Sequence, residues 1–209
     1  MKSPLGTMML GLLLAPANLS AQDSTGEVSP LLSEVAEIAL ARSAAPQSVS
    51  GEATVLVLRG DQYAVALAGT SDVSCMVSRT YPGSLEPICY NAEAVRTIMQ
   101  IEIRRVESRL AGKSTDEIER EVAYAIGSGE LRLPSRPAIA YMMSSGQILI
   151  SPDGNNVGSW LPHVMLYEPY ITAADLGLPS QPSLDAAMVF GEGEATASII
   201  VVVREFIDP

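Results

Sequence analysis

The segment "NAEAVRTIMQIEIRRVESRLAGKSTDEIEREVAYAIGSGEL" at 91–131 decides the fold class. Val95, Met99, Val106 and Leu110 recur at helical spacing, and Ile98 and Ile103 widen that apolar stripe. Arg96, Arg104, Arg105 and Arg109 fall on the remaining faces, which read as solvated. Gly112 ends the first helix, and Ser114 with Glu117 three residues later forms the signature of a capping box for a second, running to about Gly127. The segment is therefore an αα-hairpin. On both sides of it the pattern changes to short runs of period two.

Before the hairpin, "GEATVLVLRGDQYAVALAGTSDVSCMVSRT" reads as three strands at 53–59, 63–68 and 73–79, expected to follow one another as a meander. Arg59-Gly60-Asp61 matches an adhesion tripeptide, but a hairpin turn accounts for it. "YPGSLEP" is expected to be an irregular loop. Ahead of these strands, 30–45 is an amphipathic helix with Ser29 as cap, Pro30 in the first turn and Leu31, Val35 and Ile38 on one face. After the hairpin come "AIAYMMS", "QILIS", "MLYEP", "AAMVF" and "TASIIVVVREF", with turns at Asp153-Gly154 and "GEGE" and a short helical turn capped by Thr172. "SIIVVV" lacks alternation and reads as a central strand covered on both faces. Strands, helices and strands again, without βαβ alternation, predict an α+β fold: a single domain with a mainly antiparallel sheet, an N-terminal helix and a central αα-hairpin.

Two tempting motifs fail on spacing. "GKS" at 112–114 lacks the phosphate-loop glycine five positions earlier, where Glu107 stands, and it follows a helix rather than a strand. A calcium loop starting at Asp153 would need oxygen donors where Val157 and Val164 lie.

The first residues carry one basic residue, Lys2, then the apolar run "LGTMMLGLLLAPA" and small polar residues. This pattern is expected to be a signal peptide at 1–21, leaving one domain at 22–209. The run is shorter than the ~20 apolar residues a membrane span requires. A formal net charge of −11 disfavours nucleic acid, whose phosphates are bound by lysine and arginine. Two cysteines, Cys75 and Cys89, in an exported chain are expected to form a disulfide, with buried thiols or a soft metal pair as the other readings.

"SWLPHVMLY" at 159–167 holds the only tryptophan and the only histidine, in a chain that is 5% aromatic. If the flanking strands are adjacent, Tyr141, Ser144, Ser145 and Gln147 lie near Trp160, His163 and Tyr167. Polar groups of this kind on apolar walls suit a small-molecule pocket, so Tyr141, Gln147, Trp160, His163 and Tyr167 are the candidate ligand-binding residues. A serine hydrolase is the alternative, with His163 as general base, Ser144 or Ser145 as nucleophile and Glu168 or Asp153 orienting the imidazole. No G-x-S-x-G elbow is present. His163 and Met165 with Met142 or Met143 would form a soft copper set, but the methionines outside the leader serve equally as core filler. Packing of Trp160 and His163 at a sheet edge is a further reading, with the imidazole satisfied by a backbone carbonyl. No metal or other cofactor is expected, and the partners are a small ligand or another protein.

At "PICYNAEAVRTI", "SGELRLPSRPAIAYMMSSGQIL" and "GSWLPHVMLYEPY" the chain resembles a family of uncharacterised exported bacterial proteins, over about 73–170. The resemblance implies bacterial export, to the periplasm or beyond, and one domain. It carries no activity, cofactor or catalytic residue.

Overall fold

Ser33 opens the first helix, its hydroxyl accepting from the Ala36 amide at 3.3 Å. The computed structural model describes residues 31–151, 153–178 and 186–209. The expected leader and the Ser29 cap lie outside them. In chain order the elements are α1 (Glu34–Arg42), α2 (Gln47–Ser50), β1 (Thr54–Arg59), β2 (Gln62–Leu67), β3 (Ser74–Ser78), β4 (Glu86–Tyr90), α3 (Ala92–Arg96), α4 (Ile98–Leu110), α5 (Thr115–Ser128), β5 (Ala138–Met142), β6 (Leu149–Ile150), β7 (Asn156–Gly158), β8 (His163–Tyr167), β9 (Met188–Phe190) and β10 (Ser198–Val202). The fold is α+β. One sheet runs in the order β2-β1-β3-β4-β5-β8-β10-β9, and β6 with β7 forms a separate small hairpin.

All pairs in the large sheet are antiparallel except β1 with β3, which run parallel through Thr54↔Ser74 and Val55↔Cys75. The expected meander of the first three strands is thus corrected: β3 pairs with β1, and β2 becomes the edge. Period-two alternation tells which residues share a face but not which strand is the neighbour. Pairing β3 with β1 sets Val55 and Cys75 side by side beneath Leu40 and Ala41 of α1.

The sheet is the middle layer. On one face, Leu40, Ala41, Ala44 and Ala45 of α1 and its C-terminal turn pack on Val55, Cys75, Val77 and Cys89. On the other, Ile98 and Ile101 of α4 and Ile118 and Val122 of α5 pack on Met76, Ile88 and Tyr90. Every residue of β3 is buried. It is this strand that both layers cover, rather than the expected "SIIVVV": β10 lies next to the sheet edge and Val201 is 42% exposed. Cys75 and Cys89 sit opposite each other on β3 and β4 and are joined by a disulfide.

The long helix of the hairpin is broken. Thr97 takes φ −128°, ψ −85°, and its hydroxyl donates to the Glu93 carbonyl at 2.7 Å, competing with the helical ladder at that turn. α3 and α4 therefore point their stripes differently, and Ile101, absent from the expected stripe, is fully buried. α5 begins at the expected capping box, Ser114 with Glu117, and ends at Gly129, whose φ of 80° favours a residue without a Cβ.

Candidate functional site

Alternation in the central strands presents Ile88 and Tyr90 of β4, Met142 of β5, His163, Met165 and Tyr167 of β8, and Ser198 and Ile200 of β10 on the helix side of the sheet. Over this floor stands a cleft of about 830 Å³. One face of α4 looks into it, carrying Ile98, Glu102, Arg105 and Arg109 at spacings of four, three and four. The β6–β7 hairpin supplies Leu149, Ile150 and Val157 as a second wall, and Trp160 and Phe190 stand at the rim, 45% and 56% exposed.

One end of the cleft is acidic. Register places Ser78 opposite Glu86. Thr80 Oγ1 donates to Glu86 Oε2 at 2.7 Å and lies 3.4 Å from Glu102 Oε1, which also accepts a short bond from Ser78 Oγ. A hydroxyl thus lies between two carboxylates, and neither carboxylate forms an ion pair among the described residues. Burial, reinforced by the neighbouring Glu102, raises the Glu86 pKa above its ordinary 4.5 despite hydrogen bonds from Thr80 and Ser84. The two arginines of this α4 face are engaged. Arg105 makes a two-pronged pair with Glu119 at 3.0 and 2.9 Å, while Arg109 donates to the Arg79 carbonyl at 3.3 Å and stacks over the Tyr81 ring at 5.7 Å.

The other end is apolar and aromatic. Trp160 meets His163 edge-on at 6.4 Å between ring centroids and Phe190 at 6.1 Å. His163 is 3% exposed and its Nδ1 lies 2.7 Å from the Leu161 carbonyl. A carbonyl only accepts, so Nδ1 carries the proton and a neutral ring keeps Nε2 as its acceptor. Desolvation lowers the His163 pKa below its ordinary 6.5, only partly offset by that carbonyl bond. Deeper in, the Tyr167 hydroxyl finds, among the described residues, only the Met165 thioether, at 3.7 Å, and burial raises its pKa. Beside it in register, Ser198 is 1% exposed and its hydroxyl has no hydrogen-bond partner among the described residues.

These two titrating groups tilt stability in opposite directions. Folded His163 binds its proton less readily than the unfolded chain, so its contribution is complete above pH 6.5 and is lost as pH falls from there through its lowered folded pKa. Folded Glu86 binds its proton more readily, so its contribution is complete below pH 4.5 and is lost as pH rises through its elevated folded pKa. In urea midpoints measured across this range, His163→Gln is expected to flatten the decline on the acid side of 6.5. Glu86→Gln is expected to raise the midpoint at neutral pH relative to the parent chain, since it removes a charge held out of water.

Of the residues singled out from sequence, Trp160, His163 and Tyr167 line the cleft together. Tyr141 does not: as the odd member of β5 it packs against the α1 cluster on the opposite face. Gln147 is buried behind the rim, its Nε2 donating to the Trp160 carbonyl at 2.8 Å, while its Oε1 has no partner. The expected adjacency of the segments around Tyr141 and His163 is met. β8 pairs with β5, setting Met142 opposite His163, and β6 turns back on β7 through Gly154. Neither candidate serine hydroxyl bonds to the imidazole: Ser144 Oγ lies 2.6 Å from Ser43 Oγ, and Ser145 Oγ donates to Asp208 at 2.5 Å.

Sequence reading missed Glu86, Glu102, Ser78, Thr80 and Ser198. "EPICY" was expected to begin inside a loop and is a strand from Glu86. Glu102, Arg105 and Arg109 extend the Ile98 row at helical spacing, a charged stripe beside the apolar one that was legible but read as solvated. Comparison with known proteins finds no matching family model, no matching curated protein and no matching solved structure. The cleft is therefore interpreted from its own chemistry.

Proposed function

We propose that this chain is an exported bacterial protein of the periplasm or extracellular space that binds a small, partly apolar ligand in the cleft above β4, β5, β8 and β10, without chemistry on it. The observation that carries this reading is the cleft itself. At about 830 Å³ it falls within the range of small-molecule sites, roughly 300 to 1,000 Å³, and its apolar floor is interrupted by a few oriented polar groups. Export draws on the apolar leader pattern and is compatible with a buried disulfide, a bond that persists in oxidising compartments. Among the described residues no helix is long and apolar enough to cross a membrane.

Mass spectrometry of small molecules released from the full chain, purified from its native compartment, tests the proposal. One partly apolar compound is expected near stoichiometric amount. Trp160→Ala is expected to weaken its retention about tenfold, equivalent to about 1.4 kcal/mol for a rim contact. Unchanged retention in both Trp160→Ala and His163→Ala, with lowered stability, would make the two residues packing groups and remove them from the site.

A further inference from the structure

The cleft's lining combines two features that a purely apolar ligand leaves unused. The first is charge. Among the described residues it holds four carboxylates, Glu86, Glu102, Glu119 and Glu194, against two guanidinium groups, Arg105 and Arg109. Arg105 and Glu119 neutralise each other, and Arg109 is committed to a backbone carbonyl and the Tyr81 ring. Glu86 and Glu102, bridged by Thr80, face the cleft without an ion pair among the described residues; Arg105 acts on Glu102 only through space, its guanidinium being bonded to Glu119. The second feature is independent of the acids. The Ser198 hydroxyl, on a different strand, is buried in the lining without a partner among the described residues, where its register neighbour Tyr167 has only a thioether to donate to. A buried hydroxyl without a partner costs about 1 to 3 kcal/mol, so it is a place where a ligand group is accommodated at a gain.

From this arrangement we infer that the ligand is an amphipathic cation: an ammonium group seated at Glu102 and Glu86, with a body, apolar apart from a hydrogen-bonding group at Ser198, lying over Met165 and Ile200 toward Trp160 and Phe190. The inference rests on the reading of the cleft as a small-molecule site and specifies its ligand class. An ammonium supplies the direct ion-pair partner that the two carboxylates do not have among the described residues, and the aromatic rim suits either the apolar body or the cation's own alkyl groups. Thr80 and Ser78 hold the carboxylate oxygens in place through hydroxyl bonds and contribute no charge of their own.

Three probes with the same chain separate the possibilities: octyltrimethylammonium, octanol and octanoate, titrated into the full chain, with emission of Trp160, the one tryptophan and a rim residue, as readout. The ammonium is expected to bind at least tenfold tighter than either of the others. Its affinity is expected to fall with added salt and as pH drops into the range where Glu86 takes up a proton, with octanol insensitive to both. Glu102→Gln is expected to remove the tenfold preference while leaving octanol binding intact, and Glu86→Gln serves the same purpose if the first variant does not fold. Equal binding of the three probes, or preference for octanoate, overturns the cationic class and leaves the cleft reading standing. Failure of all three to bind overturns the cleft reading and the cationic class with it.

Discussion

Replacing Glu37 by alanine is expected to destabilise the fold by about 3 to 5 kcal/mol, the usual result of leaving one member of a buried ion pair alone. Glu37 and Arg79 are 1% and 3% exposed and meet at 3.0 Å. The pair fastens α1 to the sheet. Glu37 Oε1 also accepts the Leu58 amide at 3.1 Å, and Arg79 Nη1 also donates to the Val77 carbonyl at 2.9 Å. Arg79 Nε and Nη2 have no hydrogen-bond partner among the described residues, so the guanidinium is under-satisfied even before Glu37 is removed. A loss of this size is a large share of the ~5 to 15 kcal/mol by which domains are stable. Urea unfolding of Glu37→Ala checks it. A double replacement, Glu37→Met with Arg79→Met, is expected to recover most of the loss, because it removes the stranded charge together with its partner. A cost below about 1 kcal/mol in the single variant would mean that water reaches Arg79.

Removing the disulfide, as Cys75→Ala with Cys89→Ala, is expected to cost about 3 kcal/mol on the chain-entropy estimate for so short a loop. The cysteines are separated by 14 positions and both sulfurs are fully buried beneath α1. Because they face each other on adjacent strands in the sheet's best-covered region, the bond adds little to the folded geometry and mainly restricts the unfolded chain. The cost should appear as a lower urea midpoint for the double variant, with each single variant losing about as much. Burial adds a kinetic consequence: reductant is expected to leave the native bond intact and cleave it only when urea is present. Reduction in the folded state at the rate of an exposed disulfide would contradict this placement.

How much was legible varies with the range of the interaction. The capping box at Ser114 and Glu117, the Thr172 turn and the Asp153-Gly154 hairpin are written within a few residues, and all form as read. The disulfide was legible from cysteine number and context. The break at Thr97 was not, because the apolar spacing runs through it and the deciding bond is the threonine's own hydroxyl against the helix ladder. Within the candidate site, Trp160, His163 and Tyr167 were legible as rare polar aromatics in an apolar strand. Tyr141 was assigned to the same group although it faces away, because strand membership was read correctly but its facing relative to β8 was not. Glu86 and Glu102 lie 16 positions apart, on a strand and a helix, and nothing local marks them as neighbours.

The sequence by itself determined the α+β class, the helical hairpin and its cap, the strand-forming segments other than β4 and β7, and the cysteine pair. Each depends on periodicity, a turn residue or a count, and these are properties of contiguous chain. Only the tertiary structure decided that β3 leaves β2 to run parallel beside β1, that β3 rather than β10 is covered on both faces, and that one charged face of α4 overlooks a cleft rather than solvent. Those outcomes depend on which layers cover which part of the sheet. Coverage is a competition between distant apolar surfaces for burial, settled by how the elements pack and left unspecified by the pattern within any one of them.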